Sequence, residues 1–127
     1  TSPAVERLIE CNILLSGVGF ESGGLALAHA IANGLTILPE CKAMHGEAVA
    51  FGLVVQLRLE RAPELDQVLE FCQRVGLPTT LEELGLGEIS DADLRSVANA
   101  VFRNERNMAN EQAKVTKQKL VQFMCEA

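Results

Sequence analysis

The sequence of 127 residues predicts an all-α fold, a helical bundle of about six or seven helices. Apolar residues recur at the helical period along most of the chain, and the alternation typical of β-strands hardly appears. With 48% hydrophobic and 22% charged residues, the composition is typical of a globular protein. A chain of this length can bury a core, so residues 1–127 are expected to form one domain.

The first two helices can be placed from their start and stop signals. Ser2-Pro3 is typical of an N-cap followed by a first helical turn, and an apolar stripe then continues up to Gly17 and Gly19. The Ser-Gly-Gly stretch at 22–24 is predicted to separate this helix from a second one, which ends at Asn33-Gly34. The members of the first stripe are Val5, Leu8, Ile9, Ile13 and Leu15.

The third helix, from His45 to about Leu59, is apolar nearly all round, which is typical of a buried helix. Ala48 and Gly52 are four residues apart and therefore share a face. Their small side chains would let another helix approach closely. The helix is too short and too often interrupted by polar residues to span a membrane.

The second half of the chain predicts further helices. One runs over 64–75 and ends at Gly76, and the LEELG segment at 81–85 is predicted to be a short helical piece. Ser90 is a strong N-cap candidate for a helix that carries apolar residues at helical spacing, and Thr116 begins the last helix.

Charge and cysteine content exclude several classes of function. A formal net charge of −6 and a pI near 4.9 argue against nucleic acid or an anionic membrane as partner, because both require clustered Lys and Arg. The cysteines are widely spaced and form no CxxC pair, which favours free, reduced thiols and a cytoplasmic location. No signal peptide or transmembrane segment is predicted from the sequence. The cysteines are Cys11, Cys41, Cys72 and Cys125.

The two histidines, His29 and His45, are the candidate functional residues. The sequence has neither a GxGxxG nor a GxxxxGK[ST] motif, and no signature of a catalytic nucleophile, so no catalytic residue is assigned. Neutral imidazole is a common ligand of Zn²⁺ and Fe²⁺, but two histidines are one ligand short of a typical catalytic site. Glu47 would face another side of the helix from His45 and is expected to cap or brace it. Spacing alone favours ordinary structural histidines over metal ligands.

A family resemblance changes that balance. FESGGLALAHAIANG at 20–34, followed by HGEAVAFGLVVQLRLE at 45–60, resembles the C-terminal helical domain of glycerol dehydrogenases. This family belongs to the metal-dependent group that includes iron-containing alcohol dehydrogenases, and it is similar in fold to dehydroquinate synthase. The resemblance is close over residues 5–60 and looser beyond them. It implies that residues 1–127 are the helical metal-binding domain of a two-domain enzyme.

The resemblance also implies specific roles. His29 and His45 match two ligands of a divalent metal, Zn²⁺ or Fe²⁺, and the third ligand of the family is an aspartate that would lie upstream of Thr1. Phe20 matches a residue of the substrate pocket; the alternative for Phe20 is a core aromatic beside a turn. NAD would be held mainly by an N-terminal nucleotide-binding domain that the 127 residues do not include.

The implied activity is the oxidation of glycerol to dihydroxyacetone by a homo-oligomeric, NAD-dependent enzyme. The 127 residues alone are expected to be inactive, because they lack one ligand and the cofactor-binding domain. Two alternatives stay open: a related metal-dependent alcohol dehydrogenase with another polyol substrate, and a noncatalytic helical domain for interaction or assembly.

Overall fold

The computed structural model describes residues 2–111 and 114–126. Within these ranges the chain forms α-helices joined by turns, with no strand, so the predicted all-α bundle is confirmed. The helices are α1 (Pro3–Glu10), a π-helical segment (Cys11–Leu15), α2 (Ser16–Gly23), α3 (Leu27–Leu35), α4 (His45–Glu60), α5 (Leu65–Val75), α6 (Asp91–Arg103), α7 (Glu105–Met108) and α8 (Lys117–Glu126).

The first three elements form one continuous helical arm, residues 3–23, about 30 Å long at the α-helical rise per residue. Ser2 caps its start as predicted, since its Oγ accepts a hydrogen bond from the Val5 N–H at 3.3 Å. The arm continues past Gly17 and Gly19, where a shorter helix was predicted, and ends at Gly24, whose φ of 70° is accessible to glycine.

The large apolar side chains of the arm are exposed rather than buried. Leu8 is 60% exposed and Ile13 is 72% exposed, and no residue of α1 or of the π-helical segment is buried. An apolar stripe at helical spacing predicts burial, but within the described residues this stripe has no helix packed along it.

The core lies between α3, α4, α6 and α8. Helix α3 is central, because it packs on α4 on one side and on α6 on another, while α8 closes the bundle against α4 and α6. The largest fully buried side chains of this core are Phe51, Leu27, Ile31, Leu35, Leu120, Met124, Val54, Val55, Val97 and Val101.

Two helical glycines allow these helices to approach closely. The predicted small face of α4 is confirmed at Gly52, where a Cβ atom would overlap the carbonyl oxygen of Ala28 on α3. Gly34 was predicted to end its helix but lies inside α3, which continues to Leu35. A Cβ atom at Gly34 would lie 3.0 Å from Val101 Cγ2 and 3.2 Å from the carbonyl oxygen of Val97 on α6. Packing against α6 therefore explains this glycine better than helix termination does.

The second half follows the predicted order with two differences: α7 was not predicted, and one predicted helical piece forms turns instead. Helix α5 ends at Gly76, and Ser90 caps α6 by accepting from the Asp93 N–H at 3.1 Å. Residues 81–85 form hydrogen-bonded turns rather than a helix. Gly85 adopts a φ of 76°, which stops the turn before it can extend.

Two further observations concern the whole of the described chain. No helix among residues 2–111 and 114–126 is long and apolar enough to cross a membrane. The four cysteines are free thiols; Cys72 is buried, whereas Cys11 and Cys125 are exposed.

Candidate metal centre

The fold brings the two histidines together. His29 lies in the first turn of α3, and His45 is the first residue of α4, after the loop that joins the two helices. Their imidazole rings are tilted by 51°, with centroids 5.8 Å apart. The two histidines are sixteen residues apart, so their sequence positions alone do not place them together. They meet because α3 and α4 pack closely against each other.

The start of α4 fixes the backbone around His45. Met44 is extended, and the side chain of Glu47 reaches back so that its Oε2 accepts from the Met44 N–H at 2.7 Å. This is the glutamate half of a capping box. The carboxylate of Glu47 is therefore engaged at the helix start, which agrees with the prediction that it braces His45 rather than binding a metal.

The start of α3 is stabilised from outside its own sequence. Ala26, its N-cap residue, makes no capping hydrogen bond through its side chain. Instead, the Ala28 N–H donates to Oε1 of Gln56 on α4 at 2.9 Å. A partly buried glutamine of the neighbouring helix thus satisfies one of the amides that a helix leaves unpaired at its start. Gln56 could not be identified as this partner from the sequence, because the residues around it on α4 do not indicate a contact with Ala28.

The electrostatics of the pair favour a neutral His29. Burial lowers the pKa of the His29 imidazole from its ordinary value of 6.5, and the nearby charge of protonated His45 lowers this pKa further. A neutral imidazole keeps a nitrogen lone pair for a ligand. The lowered pKa therefore favours the neutral form of His29, which is the form that can bind a metal ion.

The spacing of the rings fits a shared divalent metal. With Zn–N distances of about 2.0–2.1 Å, each ring centroid lies about 3.2 Å from the metal, and tetrahedral to somewhat wider angles then separate two centroids by about 5–6 Å. The observed 5.8 Å falls in this range. Residues 2–111 and 114–126 contain no cluster of three His, Cys, Asp or Glu side chains able to hold a metal ion. The described residues thus supply a pair of candidate ligands, and metal binding by His29 and His45 stays a prediction.

Phe20, the candidate substrate-pocket residue, lies on α2 and is 48% exposed. The alternative, a core aromatic beside a turn, does not describe its place in this chain. The guanidinium carbon of Arg106, at the start of α7, lies 5.8 Å from the centroid of the Phe20 ring, a cation–π contact. A role for Phe20 toward substrate remains a prediction. No local sequence pattern indicates that Arg106 lies beside it.

Comparison with known proteins assigns the family. No family model matches the sequence. Glycerol dehydrogenase from Thermotoga maritima is 50% identical to the chain over 118 residues, which cover 91% of the chain and 32% of that relative. The chain belongs to the glycerol dehydrogenase family. Its predicted family and its predicted fold class are therefore both confirmed.

Further members and neighbours of the glycerol dehydrogenase family support this assignment. The crystal structure of glycerol dehydrogenase from Schizosaccharomyces pombe superposes with a TM-score of 0.88 at 39% identity, covering 98% of the chain and 32% of that structure. A glycolaldehyde reductase from Halobacterium salinarum is 44% identical over 116 residues, which cover 89% of the chain and 32% of that relative. The chain thus spans about a third of the length of these relatives.

Proposed function

We propose that this chain is the metal-binding helical part of an NAD-dependent glycerol dehydrogenase, which oxidises glycerol to dihydroxyacetone. The observation that carries the proposal is the meeting of the His29 and His45 rings at 5.8 Å, in a chain that shares half of its aligned residues with a glycerol dehydrogenase. Packing alone does not call for two imidazoles side by side, since His29 is partly buried and a charge on His45 disfavours its protonated form. A divalent cation bound by both rings would explain why the two histidines lie side by side.

The proposal divides the enzyme into two parts. The relatives are about three times as long as the segment that matches this chain. We assign NAD binding to a nucleotide-binding domain in the remainder, and we assign the third ligand, an aspartate, to residues upstream of Thr1. The 127 residues alone are then inactive, because they supply two metal ligands and no dinucleotide site.

The residues of this chain perform three tasks in the proposed reaction. His29 and His45 would present imidazole nitrogens to Zn²⁺ or Fe²⁺, both of which accept such ligands. When bound, the metal supplies Lewis-acid polarisation of a substrate hydroxyl. Glu47 holds the helix start behind His45 through its hydrogen bond to the Met44 amide. Phe20 contributes an apolar wall that orients the polyol and limits the entry of water.

Replacement of the ligands tests the proposal in the complete enzyme that it requires. We expect His29→Ala and His45→Ala each to remove the bound metal and to abolish NAD reduction with glycerol. Asn33→Ala is the matched control, since Asn33 is an exposed residue of the same helix as His29. Metal content by elemental analysis and circular dichroism of the same samples separate ligand loss from unfolding. A His29 or His45 variant that keeps stoichiometric metal would remove that residue from the site.

A second candidate is a related dehydrogenase that acts on another small hydroxy compound. It is favoured by the 44% identity with a glycolaldehyde reductase. Relative kcat/KM values for glycerol, other vicinal diols and glycolaldehyde distinguish the two activities. In both cases we propose a cytoplasmic homo-oligomer. A noncatalytic assembly domain is the remaining alternative, and it predicts no metal loss and no activity loss in the histidine variants.

A further inference from the structure

Helix α4 contacts the backbone of Ala28, the residue before His29, at two points. Gln56 Oε1 accepts a hydrogen bond from the Ala28 N–H at 2.9 Å. One turn earlier on α4, Gly52 packs directly on the same residue: a Cβ atom at Gly52 would lie 3.1 Å from the Cα of Ala28 and closer still to its carbonyl oxygen. Both polar groups of the Ala28 backbone unit are thus in contact with α4.

The orientation of the Gln56 carboxamide is fixed as well. Its Nε2 donates to Oε1 of Glu60, one turn further along α4, at 2.8 Å. The amide nitrogen is therefore turned toward Glu60, and the oxygen is left to accept from Ala28. A hydrogen bond of this kind defines the position of α3 along α4 more narrowly than apolar packing does, because apolar contacts tolerate small sliding.

These contacts lie on the same side of α4 as His45. Gly52 and Gln56 follow His45 by seven and eleven residues. At about 100° per residue, both positions return to within about 20° of the direction of His45. One stripe of α4 therefore carries the candidate ligand His45 and both residues that hold Ala28.

We propose that Gly52 and Gln56 are positioning residues for the metal site: together they hold the backbone at Ala28 so that His29 meets His45. The proposal rests on the proposed function, in which these two histidines bind a metal. Metal–ligand distances tolerate changes of about 0.2 Å, whereas a slide of α3 by one residue moves it about 1.5 Å. A small loss of register is therefore enough to disrupt a site shared by two helices.

The test compares variants of the metal-free complete enzyme by calorimetric titration with Zn²⁺. Gln56→Leu removes the acceptor at similar size and is expected to weaken Zn²⁺ binding about tenfold or more, the range known for groups that orient metal ligands. The exchange Gln56→Glu with Glu60→Gln keeps an acceptor for Ala28 and a donor beside it. It is expected to restore affinity to within about threefold of the wild type, a recovery that a merely structural loss would not show.

Gly34→Ala is the control for stability. It crowds a different contact of α3, against α6, and leaves Gly52 and Gln56 untouched. If Gly34→Ala and Gln56→Leu lose a similar amount of thermal stability, the Zn²⁺ affinity of Gly34→Ala is expected to stay within about twofold of the wild-type value. Equal weakening by Gly34→Ala and Gln56→Leu would overturn the proposal, and so would unchanged affinity in Gln56→Leu. If the Gly52→Ala variant folds, it provides a second way to perturb the backbone at Ala28.

A measurement without metal separates this inference from the proposed function. In the metal-free protein, nuclear Overhauser contacts between the ring protons of His29 and His45 report their separation directly. We expect Gln56→Leu to weaken these contacts and Gly34→Ala to preserve them. If the wild type binds no Zn²⁺, the proposed function fails, and the ring contacts still decide whether Gln56 positions His29. Unchanged ring contacts in Gln56→Leu would refute the positioning role.

Discussion

We expect the substitution Gly→Ala to have different effects on stability at three helical glycines, because the added methyl group meets different surroundings at each. At Gly46, in the first turn of α4, nothing lies within 4 Å of the new Cβ, so we expect a gain of about 0.5–1 kcal/mol in the free energy of unfolding. At Gly34 the Cβ lies 3.0 Å from a methyl group of Val101. Overpacking of about 1–3 kcal/mol, less the gain in helix propensity of about 1 kcal/mol, gives a loss of about 1 kcal/mol.

Gly52→Ala is expected to be the most destabilising of the three. Its Cβ would overlap the carbonyl oxygen of Ala28, and a backbone atom cannot rotate away as a side chain can. The helices must separate, and we expect a loss of about 2 kcal/mol or more. Urea unfolding of the metal-free protein, followed by circular dichroism, measures all three. A Gly52→Ala variant as stable as the wild type, or more stable than Gly34→Ala, would refute the close α3–α4 contact on which the reasoning depends.

Three further predictions concern pH, capping and the helical arm. Because the pKa of His29 lies below 6.5 in the folded chain, the unfolded chain binds a proton first as the pH falls below about 6.5; the free energy of unfolding should therefore decrease there, and less so in His29→Gln. Ser90→Ala removes the acceptor of the Asp93 amide and should cost about 1 kcal/mol in urea unfolding, whereas Ser90→Thr keeps a hydroxyl that accepts from this amide and donates to the Asp93 carboxylate, so it should retain most of the stability. Leu8→Lys and Ile13→Lys replace exposed side chains, so they should change the free energy of unfolding by less than about 0.5 kcal/mol and reduce self-association in size-exclusion chromatography. Large destabilisation by either lysine would mean that the arm packs on the bundle.

Local signals predicted the helices well because each depends on nearby residues. Ser2 and Ser90 cap the helices that follow them, and Gly76 ends α5, all by contacts within about four residues. Two of the predictions that failed concern residues whose partners are distant in sequence or missing from the described chain. Gly34 looked like a helix stop because Asn-Gly is a common terminating pair, but its partners are Val97 and Val101 on α6. The apolar stripe of the arm failed in another way. Its pattern predicts that another helix packs on it, and the described residues contain no such helix.

The difference between local and distant contacts also explains which parts of the candidate site could be predicted. The residue types at His29 and His45 could be identified from the sequence, because few other side chains bind a divalent metal as neutral ligands. Their approach to 5.8 Å could not, since it depends on contacts between two helices. Gly52 was predicted to allow close helix packing, but its partner could not be named, and Gln56 gave no signal at all. Both hold Ala28 rather than a histidine, so their effect on metal affinity must pass through the backbone of α3. The comparison of Gln56→Leu with Gly34→Ala isolates that effect, because the two substitutions perturb contacts of α3 with different helices.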